Sequence, residues 1–248
     1  MVEHGLIFKI SELIRECHVI KTFAKEVLDP TTVGLLDEVR GQLQNIQKKG
    51  STTNSIAWQI PVDRPVRTIW SNGESQPNSK SEHKARAEFS FIWEIRPLDE
   101  GDWKNRKYCL LDGKASTVIH VCDENNRCLA RWTVEVGDRQ SPGVHFHSQL
   151  NGFDSPPFPK SFDVPRLPAF AMSPFLAMEV AIGELFQDRW KKHASADSED
   201  ARSWRNIHLP RLRRFFAWQS KGLGLTGSPW IALKLAKPKP NMLVGEER

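Results

Sequence analysis

The residues with the most evident chemical potential lie near the C-terminus, where cations and aromatic rings alternate within residues 202–221. Helical spacing predicts that Arg211, Arg214 and Trp218 share one solvent-facing side, next to an inward side that includes Phe216. Guanidinium groups bind phosphates, and an indole can stack on a nucleobase. The pattern therefore predicts a nucleic-acid-binding surface. Its contact residues are Arg202, Arg205, Arg211, Arg213, Arg214, Trp218 and Lys221.

The same segment admits two other interpretations. A basic helix is often only a solvated surface, and its arginines could pair with the acidic run at 197–200 or with Glu184 and Asp188. An acidic surface on a protein partner would also attract these cations. The sequence alone leaves nucleic acid, a protein partner and internal ion pairs as alternatives.

Net charge is distributed unevenly along the chain. Residues 201–248 carry ten Lys/Arg against two Asp/Glu, a net of +8, whereas residues 1–200 carry a net of −3. Clustered charges add their fields over a shared surface, so a local basic segment favours a polyanionic partner more than a uniformly high isoelectric point does. This asymmetry supports the expectation of RNA or DNA binding.

A second candidate site is the pattern VHFHSQL at 144–150. Side chains two residues apart point to the same side of a strand, so His145 and His147 are predicted to lie together. Two imidazoles can form an acid–base pair near neutral pH or bind a metal ion. The pair gives an alternative hypothesis, a phosphoester-cleaving enzyme such as a nuclease, with His145 and His147 as its catalytic residues. A polar sheet face explains the pattern as well, and the sequence leans against an enzyme.

Signals for cofactors and compartment are sparse. No cofactor is predicted, and a divalent metal stays open because carboxylates are present without the spacing of a metal motif. Cys122 and Cys128 could face each other across a hairpin, but two buried thiols are the stronger prediction.

No apolar run approaches the ~18 residues that cross a bilayer, and no signal-peptide pattern is present. We expect a cytoplasmic protein with no membrane partner and an undetermined oligomeric state.

The hydrophobic pattern predicts an α+β scaffold for these residues. Apolar residues recur at helical intervals over 6–28 and 31–48, which predicts an N-terminal αα-hairpin. Period-two alternation and turn residues predict a central antiparallel meander of about four to five strands. Its strands are placed at 87–96, 115–122, 128–136 and 144–150.

The C-terminal third is predicted to pack helices on one face of that sheet. Ser173-Pro174 predicts the start of a helix to about residue 192, because serine caps helices and proline suits the first helical position. A second helix runs to Lys221 with a kink near Pro210, and residues 230–235 form a last strand.

Three segments make up the predicted organisation of the chain. They are a helical hairpin at 1–49, a polar linker or loop at 50–86 and an α+β core with a basic helix and tail at 87–248. The leading hypothesis is a non-catalytic nucleic-acid-binding or assembly protein that uses its basic, aromatic-containing C-terminal helix. A nuclease and a structural subunit of a larger complex are the alternatives; for the latter, the nine tryptophans could supply interface anchors.

Overall fold

The structure is a computed structural model of mixed helix and sheet. It describes residues 5–48, 54–74, 84–98, 108–137, 144–150, 167–170, 173–223, 228–235 and 242–244. The helices are α1 (Ile10–Phe23), α2 (Leu35–Lys48), α3 (Pro174–Ala194), α4 (Glu199–Leu223) and α5 (Pro229–Leu235). The strands are β1 (Leu6–Lys9), β2 (Ile56–Ile60), β3 (Val66–Arg67), β4 (Ala85–Leu98), β5 (Tyr108–Asp123), β6 (Cys128–Val136), β7 (Phe146–Leu150) and β8 (Leu167–Pro168).

Within the described residues, the strands form one sheet in which every pairing is antiparallel. Its order is β2-β4-β5-β6-β7-β8, while β1 pairs with β5 and β3 pairs with β4. The predicted meander, β4 to β7 in sequence order, is confirmed. The predicted count of four to five strands is too low, because β1, β2, β3 and β8 also pair. These four strands are short, so period-two alternation is hard to recognise in them.

The N-terminal hairpin forms, but both of its helices are shorter than predicted. Residues 6–9 belong to β1, whose Phe8 pairs with Cys109 of β5, and α1 begins only at Ile10. Helix α2 begins at Leu35, after a turn in which the Asp29 carboxylate accepts the Thr31 amide at 2.9 Å. An apolar residue that fits a helical stripe also fits a buried strand, so the pattern extended the first helix too far.

The buried core lies between the helices and one face of the sheet. Trp58 of β2 makes edge-on ring contacts with Phe91 and Trp93 of β4 and with Phe175 of α3. Its indole nitrogen donates to the Val39 carbonyl of α2 at 3.1 Å. One side chain therefore connects the hairpin, the sheet and α3.

The C-terminal helices pack on that same face, as predicted. Ser173 caps α3 by accepting the Leu176 amide at 3.1 Å, which confirms the predicted helix start. Cross-strand register places Phe146 of β7 in one row with Trp93, and its ring lies 5.0 Å from the ring of Phe215 in α4. Because Phe146 lies on the core face of the sheet, the side of α4 that carries Phe215 points inward.

The predicted last strand is wrong, because residues 230–235 lie in α5. The Ala232 amide donates to the Ser228 carbonyl at 2.9 Å, and Pro229 occupies the first helical position, where its missing N–H costs nothing. In the segment predicted as a linker, β2 and β3 pair with β4, while residues 75–83 of its polar stretch lie outside the described residues.

Candidate functional site

Arg211, the centre of the predicted binding face, lies in the interior with only 6% of its surface exposed. Its guanidinium donates to Glu12 at 2.8 Å and to Glu16, both in α1, and lies 5.5 Å from the centre of the Phe8 ring. A cation enclosed by two carboxylates and a ring cannot reach a phosphate. The predicted exposure of Arg211 is therefore wrong.

The other two members of the predicted face also point inward. Arg214 is half-buried and donates to the carbonyl of Leu243. The Trp218 ring lies 5.8 Å from the rings of both Phe146 and Phe215. Helical spacing grouped Arg211, Arg214 and Trp218 correctly, but that group faces the sheet and α1.

Two further predicted contact residues are bound to the end of α3 and the segment that joins it to α4. Arg202 forms an ion pair with Asp197 at 3.2 Å. Arg205 donates to the carbonyl of Ala194 at 3.1 Å and to that of Ala196 at 3.3 Å. Arg205 also lies 3.9 Å from Asp197, so both arginines agree with internal pairing to the acidic run at 197–200, an alternative that the sequence left open.

The opposite side of α4 is exposed from residue 202 to residue 220. We call it the outer α4 face and define it by six exposed residues at alternating intervals of four and three. They are Arg202, Asn206, Leu209, Arg213, Phe216 and Ser220. Phe216, predicted to pack inward, is 52% exposed, and Leu209 is 43% exposed. This spacing is that of residues with which one helix contacts another.

The exposed cations of α4 include Arg213, which belongs to this face, and Lys221, near the end of the helix. Within the described chain, neither Arg213 nor Lys221 forms an ion pair or hydrogen bond, and both are exposed. Helix α5 packs against α4 and adds the exposed Trp230 and Ile231, with the Lys234 ammonium 5.0 Å from the centre of the Trp230 ring. Judged by contacts among the described residues, Arg213 and Lys221 are the predicted contact residues that remain exposed and unpaired.

A cluster of charged groups fills the interface between α1 and α4. Glu16 is completely buried, and the buried His208 places its Nε2 atom 3.9 Å from Glu16 Oε2, beyond hydrogen-bond distance. The Trp204 ring centre lies 4.1 Å from that of His208. Burial, together with the neighbouring Arg211 cation, lowers the pKa of His208 well below its usual value. His208 is therefore neutral in the folded protein near pH 7.

Acidification is expected to destabilise the fold through His208. Its pKa is lower in the folded state than in the unfolded state, so below about pH 6.5 the unfolded chain binds the extra proton. This contribution is fully present above pH 7 and is lost as the pH falls. Between pH 7.5 and 5.5 we expect a loss of about 1 kcal/mol in unfolding free energy that His208→Gln does not show. Urea denaturation at both pH values measures the difference.

His120 serves as the control for this titration, since burial and Arg131 also lower its pKa. His120→Gln should remove only its own, separate contribution, and the two variants should act additively because they lie on different elements. An identical pH dependence in wild type and His208→Gln would contradict the assignment.

His147 is buried on the sheet face opposite α4, and both nitrogens of its ring face acceptors within the chain. Nδ1 lies 2.9 Å from the Val144 carbonyl, and Nε2 lies 3.2 Å from Glu135 Oε2 on the neighbouring strand. A general base needs one nitrogen directed at a substrate. His145 is half-buried, with its ring 4.9 Å from that of Phe146. The geometry gives His147 a structural role and lends the catalytic prediction for the pair no support.

The buried carboxylate partners of Arg211 and His147 were not predicted from the sequence, although the position of Glu16 gave one indication. Glu16 lies inside the apolar stripe of α1, three residues after Leu13 and four before Ile20. A carboxylate at such a position must be paired with a cation when buried. Glu135 carried no comparable signal, because it becomes the partner of His147 only through the register of β6 and β7.

The described part of the chain contains no group of three or more His, Cys, Asp or Glu residues arranged to hold a metal ion. None of the helices described is long and apolar enough to cross a membrane. In comparisons with known proteins, no family matches this chain, and neither the curated proteins nor the solved structures include a significant match.

Proposed function

We propose that this chain is an assembly protein that binds an acidic protein surface through the outer α4 face. The observation that carries the proposal is the exposure of Leu209, Arg213 and Phe216 at helical positions i, i+4 and i+7. Exposed apolar side chains grouped on one face are typical of interaction sites. Aromatic residues and arginine are enriched at protein interfaces and supply most of their binding energy.

The charges on α4 favour a protein over a nucleic acid as the partner. Cations that neutralise phosphates supply most of the non-specific affinity for nucleic acid, and stable binding at moderate salt usually rests on several of them. On α4 the arginines at 205, 211 and 214 are held by oxygen atoms of the chain itself, and Arg202 forms an exposed ion pair with Asp197. Arg213 and Lys221, which have no ion-pair partner among the described residues, suit a few acidic side chains on a protein partner better than a nucleic-acid backbone.

Site-specific photo-crosslinking in cells that express the protein tests this proposal. We expect a photoreactive phenylalanine analogue at position 216 to form a defined protein adduct, and the same analogue at Val180 to form none. Val180 is a matched control, because it is an apolar helix residue with 43% exposure, equal to that of Leu209, on a different helix. Adding Arg213→Glu should remove the adduct, since it reverses the cation without breaking an ion pair or hydrogen bond among the described residues.

Three results would count against binding of a protein partner through the outer α4 face. They are an adduct that nuclease treatment destroys, an adduct that forms equally at positions 180 and 216, and an adduct that persists with Arg213→Glu. Once the partner is purified, Leu209→Ala and Phe216→Ala should each weaken its affinity by about tenfold or more, as central interface residues do. Charge reversal at Arg211 would not test partner binding. Arg211→Glu would place a third carboxylate beside Glu12 and Glu16 in the interior of the protein.

A further inference from the structure

Two cysteines lie directly opposite each other where the β5–β6 hairpin closes. Cys122 of β5 pairs with Cys128 of β6, next to a register shift that follows Val121. The connecting turn is fixed by Asp123, whose carboxylate accepts the amides of Asn125 at 2.9 Å and Arg127 at 2.8 Å. The turn therefore holds the two cysteine positions in a constant register.

Opposed positions in an antiparallel ladder have the separation that a disulfide requires. Their Cα atoms are about 4.5–5.5 Å apart, and disulfides usually join Cα atoms about 4.4–6.8 Å apart. Side chains of opposed residues also lie on the same side of the sheet. Both thiols are free in the structure, with Cys122 buried and Cys128 exposed, which corrects the prediction that both would be buried.

We propose that Cys122 and Cys128 form a dithiol site that an oxidant of the disulfide class, such as glutathione disulfide, converts to an intramolecular disulfide. The exposed Cys128 thiolate attacks one sulfur of the oxidant, forms a mixed disulfide and releases one glutathione thiolate. Cys122 then loses its proton and attacks the Cys128 sulfur, which releases the second glutathione. Two protein thiols are oxidised and one glutathione disulfide is reduced to two glutathione molecules.

The surroundings of the two thiols set the rate of this exchange. Burial raises the pKa of Cys122 to about 11, with a further contribution from the Glu88 carboxylate, and burial also raises the pKa of Cys128. The thiolate is the reacting species, so the exchange is slow at neutral pH and should accelerate by roughly tenfold per pH unit between pH 7 and 9. Closure would fix the end of the hairpin, where Glu124 pairs with Lys84 at 2.9 Å.

The other two thiols serve as internal references. Cys17 in α1 and Cys109 in β5 are buried and belong to parts of the fold away from the hairpin end. Burial raises the pKa of Cys109 to about 12, and burial together with the Glu16 carboxylate raises that of Cys17. Neither is expected to react in the folded protein.

The test treats the purified protein with glutathione disulfide at pH 8.5, quenches it with acid and measures intact mass and disulfide-linked peptides. We expect wild type to lose two hydrogen atoms and to yield one linkage, between Cys122 and Cys128. Cys122→Ser should instead keep one glutathione on Cys128, and Cys128→Ser should not react. Wild type that retains bound glutathione, or that links either cysteine to Cys17 or Cys109, would overturn the proposal. The wild-type result alone decides it if a variant fails to fold.

Discussion

Replacement of Arg211 with methionine is expected to lower the free energy of unfolding by about 3–5 kcal/mol, as removal of one partner from a buried ion pair does. The substitution fills a similar volume but leaves the fully buried Glu16 carboxylate without its cation. Glu12 would lose the same partner, although its side chain is partly solvated. Urea denaturation followed by circular dichroism measures the loss.

Arg213→Met is the matched control, because it makes the same chemical change two residues further along the same helix. Arg213 is exposed and has no ion pair with any residue that the structure describes, so its replacement should change stability by no more than about 0.5 kcal/mol. A double replacement, Glu16→Met with Arg211→Met, should recover most of the loss, since apolar residues often replace a buried ion pair at little cost. Equal effects of Arg211→Met and Arg213→Met would show that the interior pairing is absent in solution.

Truncation of Trp58 to alanine is expected to cost about 3–5 kcal/mol, the usual range for a large aromatic side chain lost from a core. Trp58 is fully buried and contacts rings on β4 and α3, so the neighbouring elements cannot all move to fill the space. Trp58→Phe should cost less, because it keeps a ring in the cluster and loses chiefly the hydrogen bond to Val39.

Trp230→Ala provides the comparison for an exposed indole, since Trp230 is 56% exposed on α5. We expect a stability change of about 0.5 kcal/mol or less from this variant. Thermal and urea unfolding of the three variants should rank them with Trp58→Ala lowest. A Trp58→Ala protein as stable as Trp230→Ala would contradict the position of Trp58 at the junction of the hairpin, sheet and α3.

Comparison of these variants separates effects on unfolding from effects on partner binding. Arg211 and Trp58 should affect unfolding, whereas Arg213 and Phe216 should affect partner binding and leave unfolding nearly unchanged. If Arg211→Met weakens binding only as much as the fraction of folded protein falls, the buried cluster stabilises the fold and does not contact the partner. The partner then binds through the outer α4 face.

Much of the architecture could be predicted from local patterns. The strand at 128–136 has the predicted bounds, because period-two alternation and a turn-rich connection are both local signals. The helix cap at Ser173 could also be predicted, because a serine–proline pair at a helix start is recognised from neighbouring residues alone. The segments that were assigned wrongly, 6–9 and 230–235, are short apolar runs in which helix and strand periods cannot be distinguished.

The candidate site was predicted far less well, and α4 shows why. Its aromatic and basic residues surround the helix, so spacing grouped them into faces but could not say which face would be buried. Arg211 and Glu16 are 195 residues apart in the chain, and no local pattern pairs them. The contact of Phe146 with Phe215 likewise depends on the register of the sheet.

The sequence by itself determined that this chain forms amphipathic helices and an antiparallel meander, because periodicity and turn chemistry act over a few residues. Only the tertiary structure decided that Arg211 lies inside and Arg213 and Phe216 outside. That choice depends on which helix face finds complementary charge and apolar surface on distant elements. It moved the candidate interaction surface to the side of α4 opposite the one that spacing had indicated.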